Sequence, residues 1–165
     1  MQETHEMEAK KQFLTLDDLY ISPFIKVRRY DENGQSVYTP LERNLHPTGL
    51  YAADLLLQSL TNGTTNLATV ALRLGCSGRD LSGLVRCLTG QPSDDFRNHY
   101  RLRLVDDLLR FTALSLAEVA LRSGIGTERN LYSFCRRHHG CTPADRRQHI
   151  RMVGDEGRFS VDAQL

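Results

Sequence analysis

Four arginines recur at matched positions in two stretches of this 165-residue chain. Arg79 and Arg86 lie in the first stretch, and Arg129 and Arg136 hold the same places 50 residues later. An arginine guanidinium presents a planar fork of N–H donors, which binds phosphate groups and the acceptor edge of guanine in a bidentate way. Arginines at the same place in two copies of a motif therefore favour a polyanion as the partner.

A second group of side chains, Cys135, His138, His139 and Cys141, contains the two residue types that zinc prefers. Two of the four lie on a helix whose apolar face needs them for packing, so we expect buried thiols and no metal or other cofactor. A metal or thiol switch through these residues is the alternative. No nucleophile is paired with an acid and a base, and no glycine-rich phosphate loop is present. We therefore expect no enzyme activity.

The matched arginines belong to an internal repeat. Residues 67–75 read LATVALRLG and residues 116–124 read LAEVALRSG, which are identical at seven of nine positions. After one extra residue the correspondence continues at an offset of 50. Each copy consists of a short helix pattern, a glycine turn, a Ser or Thr at a helix-cap position and a second helix pattern. This order predicts two helix-turn-helix motifs.

The spacing of apolar residues predicts which side of each second helix faces the core. The inward positions of the two copies are Leu81, Leu84, Val85 and Leu88, and Leu131, Phe134, Cys135 and His138. The outward positions are Arg79, Ser82, Gly83 and Arg86, and Arg129, Tyr132, Ser133 and Arg136. The outward sets occupy equivalent positions, so we expect the two motifs to present comparable surfaces.

Further helices are predicted around the repeat. Thr48 heads a helix with Leu50, Ala53, Leu57 and Leu60 on one face, and Asn62-Gly63 closes it. Ser93 caps a long helix to about Phe111, whose stripe of Phe96, Tyr100, Leu104 and Leu108 bridges the two copies. Thr142-Pro143 caps a terminal helix to about Arg151. Upstream, Asn33-Gly34 between two β-prone runs predicts a hairpin, either a small cap over the helices or a partner contact.

The charge is unevenly distributed along the chain. Residues 64–151 carry 14 arginines and 8 carboxylates, whereas the segments on either side are net negative. No segment has the roughly 18 consecutive apolar residues of a membrane span, and the amino terminus lacks the apolar centre of a signal peptide. We expect a cytoplasmic protein with an extension over residues 1–47, a helical domain over 48–151 and a polar tail over 152–165.

The stretch from about residue 66 to residue 147 resembles the DNA-binding domain of the AraC/XylS family of bacterial transcription regulators. The resemblance is carried by the segments ALRLGCS, LSGLVRCLTGQP, RLRLVDDLL, ALRSGIG and LYSFCRRHHGCTPADRR. It implies a mainly α fold: a seven-helix double helix-turn-helix domain with a bridging helix, preceded here by a short extension with a β-hairpin. It also implies sequence-specific binding of double-stranded DNA in two successive major-groove segments.

The resemblance also implies roles for individual residues. The base-facing positions are Arg79, Ser82, Gly83, Glu128, Arg129, Tyr132 and Ser133, and the phosphate-binding positions are Arg86, Arg136 and Arg137. Family members often carry Arg where this chain has Gly83 and Ser133. We expect the second copy to contribute at least as much base reading as the first.

Two other expectations concern partners. The first 47 residues are too short for the β-barrel that binds small molecules in many relatives, so we expect no small-molecule effector domain. The N-terminal hairpin is a candidate contact for RNA polymerase or another protein. The alternative to DNA binding is a degenerate helix-turn-helix module that binds a protein partner, because a fold does not fix a function.

Overall fold

The computed structural model describes residues 13–20, 22–24, 26–30, 33, 36–40, 48–64 and 66–153. These residues form eight helices and one pair of strands, which confirms the predicted mainly α fold. In chain order the elements are α1 Leu16–Leu19, β1 Lys26–Tyr30, β2 Ser36–Pro40, α2 Tyr51–Thr61, α3 Leu67–Leu74, α4 Gly78–Thr89, α5 Ser93–Phe111, α6 Leu116–Arg122, α7 Glu128–His139 and α8 Pro143–Val153.

The predicted N-terminal hairpin is present as two antiparallel strands. Lys26 lies opposite Pro40, and Tyr30 lies opposite Ser36. Of the predicted turn pair, Asn33 is in a turn and Gly34 lies outside the described residues. The polar start over residues 1–12 and the end of the tail from residue 154 also lie outside them.

The helices enclose two hydrophobic cores. The first lies among α2, α3, α4 and the start of α5, and its most buried members are Leu60, Val70, Ala71, Leu81 and Tyr100. The second lies among the rest of α5, α6 and α7, and its most buried members are Val105, Leu109, Val119, Ala120, Leu131 and Cys135. Each core holds one helix-turn-helix, so the chain contains two such units. The fold that the repeat predicted is confirmed.

The long helix α5 belongs to both cores, as its predicted stripe requires. Phe96 and Tyr100 are buried in the first core, and Leu104 and Leu108 are buried in the second. The Tyr100 hydroxyl lies 2.6 Å from the Thr61 hydroxyl oxygen, which ties α5 to the end of α2. Although α5 has 19 residues, neither it nor another helix in the described part of the chain is long and apolar enough to cross a bilayer.

Residues 13–20 and 22–24, here called the strap, pack along the helical units. Leu19 is buried in the first core, and Phe24 is buried in the second. Tyr20 packs against members of both cores. The division of the chain at residue 48 stays a proposal, but these upstream residues contribute side chains to both cores.

The predicted start of α2 is wrong by three residues. The helix begins at Tyr51, because the Asp54 carboxylate accepts hydrogen bonds from the Thr48 backbone N–H at 3.0 Å and from its hydroxyl at 2.8 Å. Those bonds hold Thr48 in front of the helix and not at its cap. Leu50, predicted to face the core, is 48% exposed for the same reason. The other predicted core positions of this helix, Ala53, Leu57 and Leu60, are buried.

Gly63 closes α2 where the two units touch. Its φ is +75°, a conformation that side chains other than glycine adopt at a cost of about 1–3 kcal/mol. A Cβ at Gly63 would also lie 2.8 Å from the backbone carbonyl oxygen of Arg122, at the end of α6. Gly83, in the interior of α4, has no atom within 4 Å of such a Cβ and has helical φ. The two glycines therefore differ in what they contribute to stability.

We expect Gly63→Ala to lower the free energy of unfolding by at least about 1–3 kcal/mol, because it adds backbone strain and a clash between the units. The matched substitution Gly83→Ala should raise it by about 0.5–1 kcal/mol, because alanine restricts the unfolded chain in a helix position with free space. Urea unfolding of the two variants without any ligand measures both values. Equal effects of the two substitutions would contradict this assignment.

Candidate nucleic-acid interface

The beginnings of α4 and α7 are built alike. The Ser77 hydroxyl accepts a hydrogen bond from the Asp80 N–H, and the Thr127 hydroxyl accepts one from the Asn130 N–H, each at 3.2 Å. Such caps satisfy backbone donors that have no partner within the helix and fix where each helix begins. Arg79 and Arg129 follow as the second residue of each helix, and both are exposed. The repeat therefore places two guanidinium groups at equivalent sites in the first turns.

The next turn differs between the two helices. In α4, Ser82 is half-buried with its hydroxyl 3.0 Å from that of Ser93, and Gly83 offers no side chain. In α7, the equivalent residues are Tyr132, which is half-buried, and Ser133, which is exposed. Ser133 donates a hydrogen bond to the Arg129 carbonyl oxygen at 3.3 Å. At the predicted base-facing positions other than Arg79, the side chains of α4 are therefore smaller than those of α7.

The three arginines predicted to bind phosphate lie in the later turns of these helices. Arg86 is exposed on α4, and Arg136 and Arg137 are exposed on α7. Within the described residues none of the three pairs with a carboxylate, so their charge is available to an anion. Cys87 occupies the place in α4 that Arg137 has in α7, and the second unit therefore has one more positive charge here.

Each helix also begins with one carboxylate. In α4 the Ser77 hydroxyl and backbone N–H donate to Asp80 at 2.7 and 3.0 Å, and they hold the pKa of that carboxyl below its usual value. In α7, Glu128 is exposed at the first position. A carboxylate repels phosphate, but it can accept a hydrogen bond from the amino group of cytosine. Of the two, Asp80 is engaged in capping α4, whereas Glu128 is exposed at a position that the resemblance predicts to face bases.

Asp106 on α5 contacts both α7 and α8 in the second unit. The Arg146 guanidinium of α8 donates to both carboxylate oxygens, at 3.0 and 2.6 Å. His139 Nε2, at the end of α7, lies 3.1 Å from the same carboxylate. Bidentate charge-assisted bonds of this kind are the geometrically specific ones. Asp106 thus holds α8 against α5 and lies beside the end of α7.

Two further arginines of α8 hold the connection between the bridge and the second unit. Arg147 donates to the Leu114 carbonyl oxygen and Arg151 donates to the Thr112 carbonyl oxygen, both at 2.6 Å. These donors are engaged within the chain, which distinguishes them from the exposed arginines of α4 and α7.

The cysteine and histidine group does not form a metal centre. No set of three or more His, Cys, Asp or Glu side chains is placed to hold a metal ion among the residues that the structure describes. Cys135 is buried, and burial raises the pKa of its thiol to about 11. All four cysteines are free, and the expected burial holds only for Cys135, since Cys87 is exposed and the others are half-buried. His138 was predicted to face inward and is exposed instead.

Burial lowers the pKa of His139 below its ordinary value, although Asp106 opposes the shift. A histidine with a lowered pKa in the folded protein binds its proton more readily when unfolded. Its contribution to stability is therefore complete above about pH 6.5 and is lost as the pH falls through the lower folded-state pKa. The pKa of His138 is lowered too, by partial desolvation and by the charge of Arg137, but this side chain is exposed and solvent screens its contribution.

We expect the free energy of unfolding to decrease between pH 7 and pH 5, and His139→Gln to reduce that slope. Denaturant titrations at half-unit pH intervals measure it. Adding His138→Gln should flatten the dependence further. An unchanged slope in the single variant would contradict the assignment of this effect to His139.

The sequence did not predict two features of this surface. Leu72 and Leu121 stand at the same place in the repeat, on α3 and α6, and they are 81% and 67% exposed. Helical periodicity leaves both leucines off the predicted core faces of their helices, but their high exposure is visible only in the structure. The contribution of the strap to both cores was also missed, because its apolar residues are too few to show a period.

Proteins similar to this chain occur among protein families and solved structures. A family described as a helix-turn-helix domain matches residues 53–149. Curated proteins gave no match.

Several solved structures share the fold. The DNA-binding domain of AdpA, a global transcriptional factor, in complex with a target DNA has 27% identity and a TM-score of 0.56, covering 64% of this chain and 97% of its own. The C-terminal domain of the response regulator yesN from Fusobacterium nucleatum has 22% identity and a TM-score of 0.52, covering 58% and 93%. The C-terminal domain of AraT, a response regulator from Geobacillus stearothermophilus, has 22% identity and a TM-score of 0.51, covering 61% and 85%. The latter two show the fold alone.

Proposed function

The chain belongs to the AraC-type helix-turn-helix family, and on that premise we propose that it is a sequence-specific DNA-binding transcription regulator. In this proposal α4 and α7 enter successive segments of the major groove. The observation that carries it is the equivalent placement of Arg79 and Arg129, both exposed at the second position of a capped helix. The first turn of a recognition helix is where side chains reach base edges.

The comparisons support this function from a different direction. The AdpA domain, which is in complex with a target DNA in its structure, is similar to 64% of this chain. The family and the fold are those of DNA-binding regulators and not of enzymes. A regulator that acts on DNA in a bacterial cell works in the cytoplasm, which is the location we propose.

The two helices would share the reading of DNA unequally. The α4 helix has Arg79 for base contacts, whereas Ser82 is engaged with Ser93 and Gly83 has no side chain. The α7 helix has Glu128, Arg129, Tyr132 and Ser133 at the corresponding places. We therefore assign the larger part of base recognition to α7. Arg86, Arg136 and Arg137 would bind phosphates and set the register.

We expect Arg129→Ala to weaken binding to the preferred duplex by about 1–3 kcal/mol and to relax the preference at one base pair, as the loss of a bidentate guanine contact does. Arg79→Ala should do the same at a base pair in the other groove segment, roughly one helical turn away. The measurement is selection from random duplexes, followed by affinity measurements on the selected site and its single-base variants. Failure of the wild-type protein to enrich any sequence would sink the proposed function.

Arg136→Ala is the matched control, because it lies two turns further along the same helix. It should weaken binding to every duplex alike and reduce the slope of affinity against salt by about one. If Arg129→Ala behaves in this same uniform way, then Arg129 binds phosphate and does not read a base.

A second function, contact with a protein partner, is favoured by Leu72 and Leu121. Both are large apolar side chains that are exposed at the same place in the two units, and a partner that contacts both units would cover them. The hairpin β1–β2 is another candidate contact for RNA polymerase or a further protein, because a two-stranded sheet leaves backbone donors and acceptors unpaired along its edges.

We expect purified RNA polymerase to be retained by the immobilised protein after nuclease treatment. Replacing both exposed leucines with serine, or deleting residues 26–40, should reduce that retention without changing affinity for the selected duplex. Retention that is equal for all three proteins would exclude these two surfaces as polymerase contacts.

A further inference from the structure

The strap begins at the recognition helix of the first unit. The Leu14 backbone N–H donates to the Leu88 carbonyl oxygen at 2.8 Å, in the last turn of α4. The Phe13 ring packs over Gly90, where a Cβ would lie 3.2 Å from two ring carbons. Leu19 then enters the first core. The beginning of the strap is therefore fixed to the end of α4 by a backbone hydrogen bond and a ring contact.

The middle of the strap is fixed to the bridge helix α5 through Tyr20. Its hydroxyl donates to an Asp107 carboxylate oxygen at 2.8 Å. Its ring meets the Tyr100 ring edge-on, with 5.0 Å between the centroids. The Arg103 guanidinium lies 5.8 Å from the Tyr20 ring and donates to Asp17 at 3.1 Å. Tyr20 lies at the junction of the two cores and packs against both.

The hydrogen bonds of this contact restrict where the strap can lie. Burial raises the pKa of the Asp107 carboxyl above its usual value, and the hydroxyls of Ser22 and Tyr20 oppose that shift. Release of the strap would exchange these hydroxyl donors for water, so each hydrogen bond adds modest net stability, but its geometry is specific. The strap is thus held to α5 by chemistry that accepts few alternative positions.

The end of the strap is buried in the second unit. Phe24 is 5% exposed in the second core, and its ring centroid lies 5.6 Å from that of Phe111. The strap consequently runs from the end of α4, past the middle of α5, to the end of α5. It is a second connection across the junction of the two units, made by noncovalent contacts at both ends, alongside the bridge helix itself.

A single helix is a weak way to fix two rigid bodies. A small bend or twist of α5, which is about 28 Å long at 1.5 Å per residue, would change the separation and relative rotation of α4 and α7. Attachment of the strap on both sides of the junction opposes such bending, because Leu19 or Phe24 would have to leave its core. The contact between Gly63 and Arg122 adds a further restraint between the units.

We propose that the strap fixes the distance and angle between α4 and α7, with Tyr20 as its positioning residue, and that it thereby sets which spacing of two DNA half-sites the protein accepts. The part about DNA rests on the proposed function, whereas the part about helix geometry does not. One inserted base pair moves a half-site by about 3.4 Å and rotates it by about 34°. A rigid pair of reading helices cannot follow that change, and a loosened pair can.

The first experiment needs no DNA. Cys87 on α4 is exposed and carries one spin label, and Ser133→Cys on α7 carries the other, with Cys76 and Cys141 replaced by serine. Pulsed electron resonance then gives the distribution of distances between the helices. The wild-type background should give one narrow distribution, and Phe24→Ala should give one at least about twice as wide, because a second set of orientations becomes populated. Tyr20→Phe, which removes only the hydroxyl, should widen it less.

Val119→Ala is the matched control, because it removes buried volume from the second core on α6 and leaves the strap intact. It should lower the thermal stability while keeping the narrow distribution. Equal distributions in wild type, Tyr20→Phe and Phe24→Ala would overturn the proposal. If Phe24→Ala does not fold, the measurement on Tyr20→Phe alone tests the proposal, because that variant keeps the aromatic ring and its packing.

The second experiment uses the duplex selected by the wild-type protein, with zero, one or two base pairs inserted between the half-sites. We expect an inserted base pair to weaken wild-type binding about tenfold or more, as a typical mismatch does, and to weaken binding of the Phe24→Ala and Tyr20→Phe proteins clearly less. Val119→Ala should keep the wild-type penalty. If the wild-type protein selects no duplex, the proposed function fails, while the label distances still test the strap. If a duplex is selected and all variants show the same penalty, the strap does not set the spacing.

Discussion

The apolar stripe of α5 enters two cores: Phe96 and Tyr100 pack in the first, and Leu104 and Leu108 pack in the second. Everything else in the structure depends on this shared helix. Each unit is too small to hold many buried side chains, so neither would be stable without the half of α5 that it uses. Sharing the helix also places both recognition helices on one rigid element. The shared helix α5 therefore determines both the stability of the two units and the relative placement of α4 and α7.

Two adjacent carboxylates on the bridge fix the elements around it. Asp106 binds Arg146, which positions α8, and lies beside His139 at the end of α7. Asp107 binds Tyr20, which positions the strap. Neighbouring residues on a helix point about 100° apart, so each carboxylate serves a different side of α5. Polar contacts of this kind add modest net stability, but they are specific in geometry, because a partly buried carboxylate needs donors at defined places.

The repeat is symmetric where it packs and asymmetric where it faces outward. Leu81 and Val85 in α4 correspond to Leu131 and Cys135 in α7, and all four are buried. The exposed places differ: Gly83 corresponds to Ser133, and Cys87 corresponds to Arg137. Residues at core positions must fill the same space in both units. Residues at exposed positions are not constrained by packing, and only contact with a partner limits which side chains they carry. A double motif can thus keep one fold while its two halves present different outward surfaces.

The sequence by itself determined the two helix-turn-helix units, the bridge, the turn glycines and the exposed arginines Arg79 and Arg129. These follow from local rules: helical periodicity, caps, positive φ and an internal repeat. Only the tertiary structure decided that α2 begins at Tyr51, that His138 is exposed, that Ser82 contacts Ser93 and that the strap joins both cores. Each of those depends on contacts between residues far apart in the chain or on one competing hydrogen bond. Periodicity along a single element carries no information about such partners.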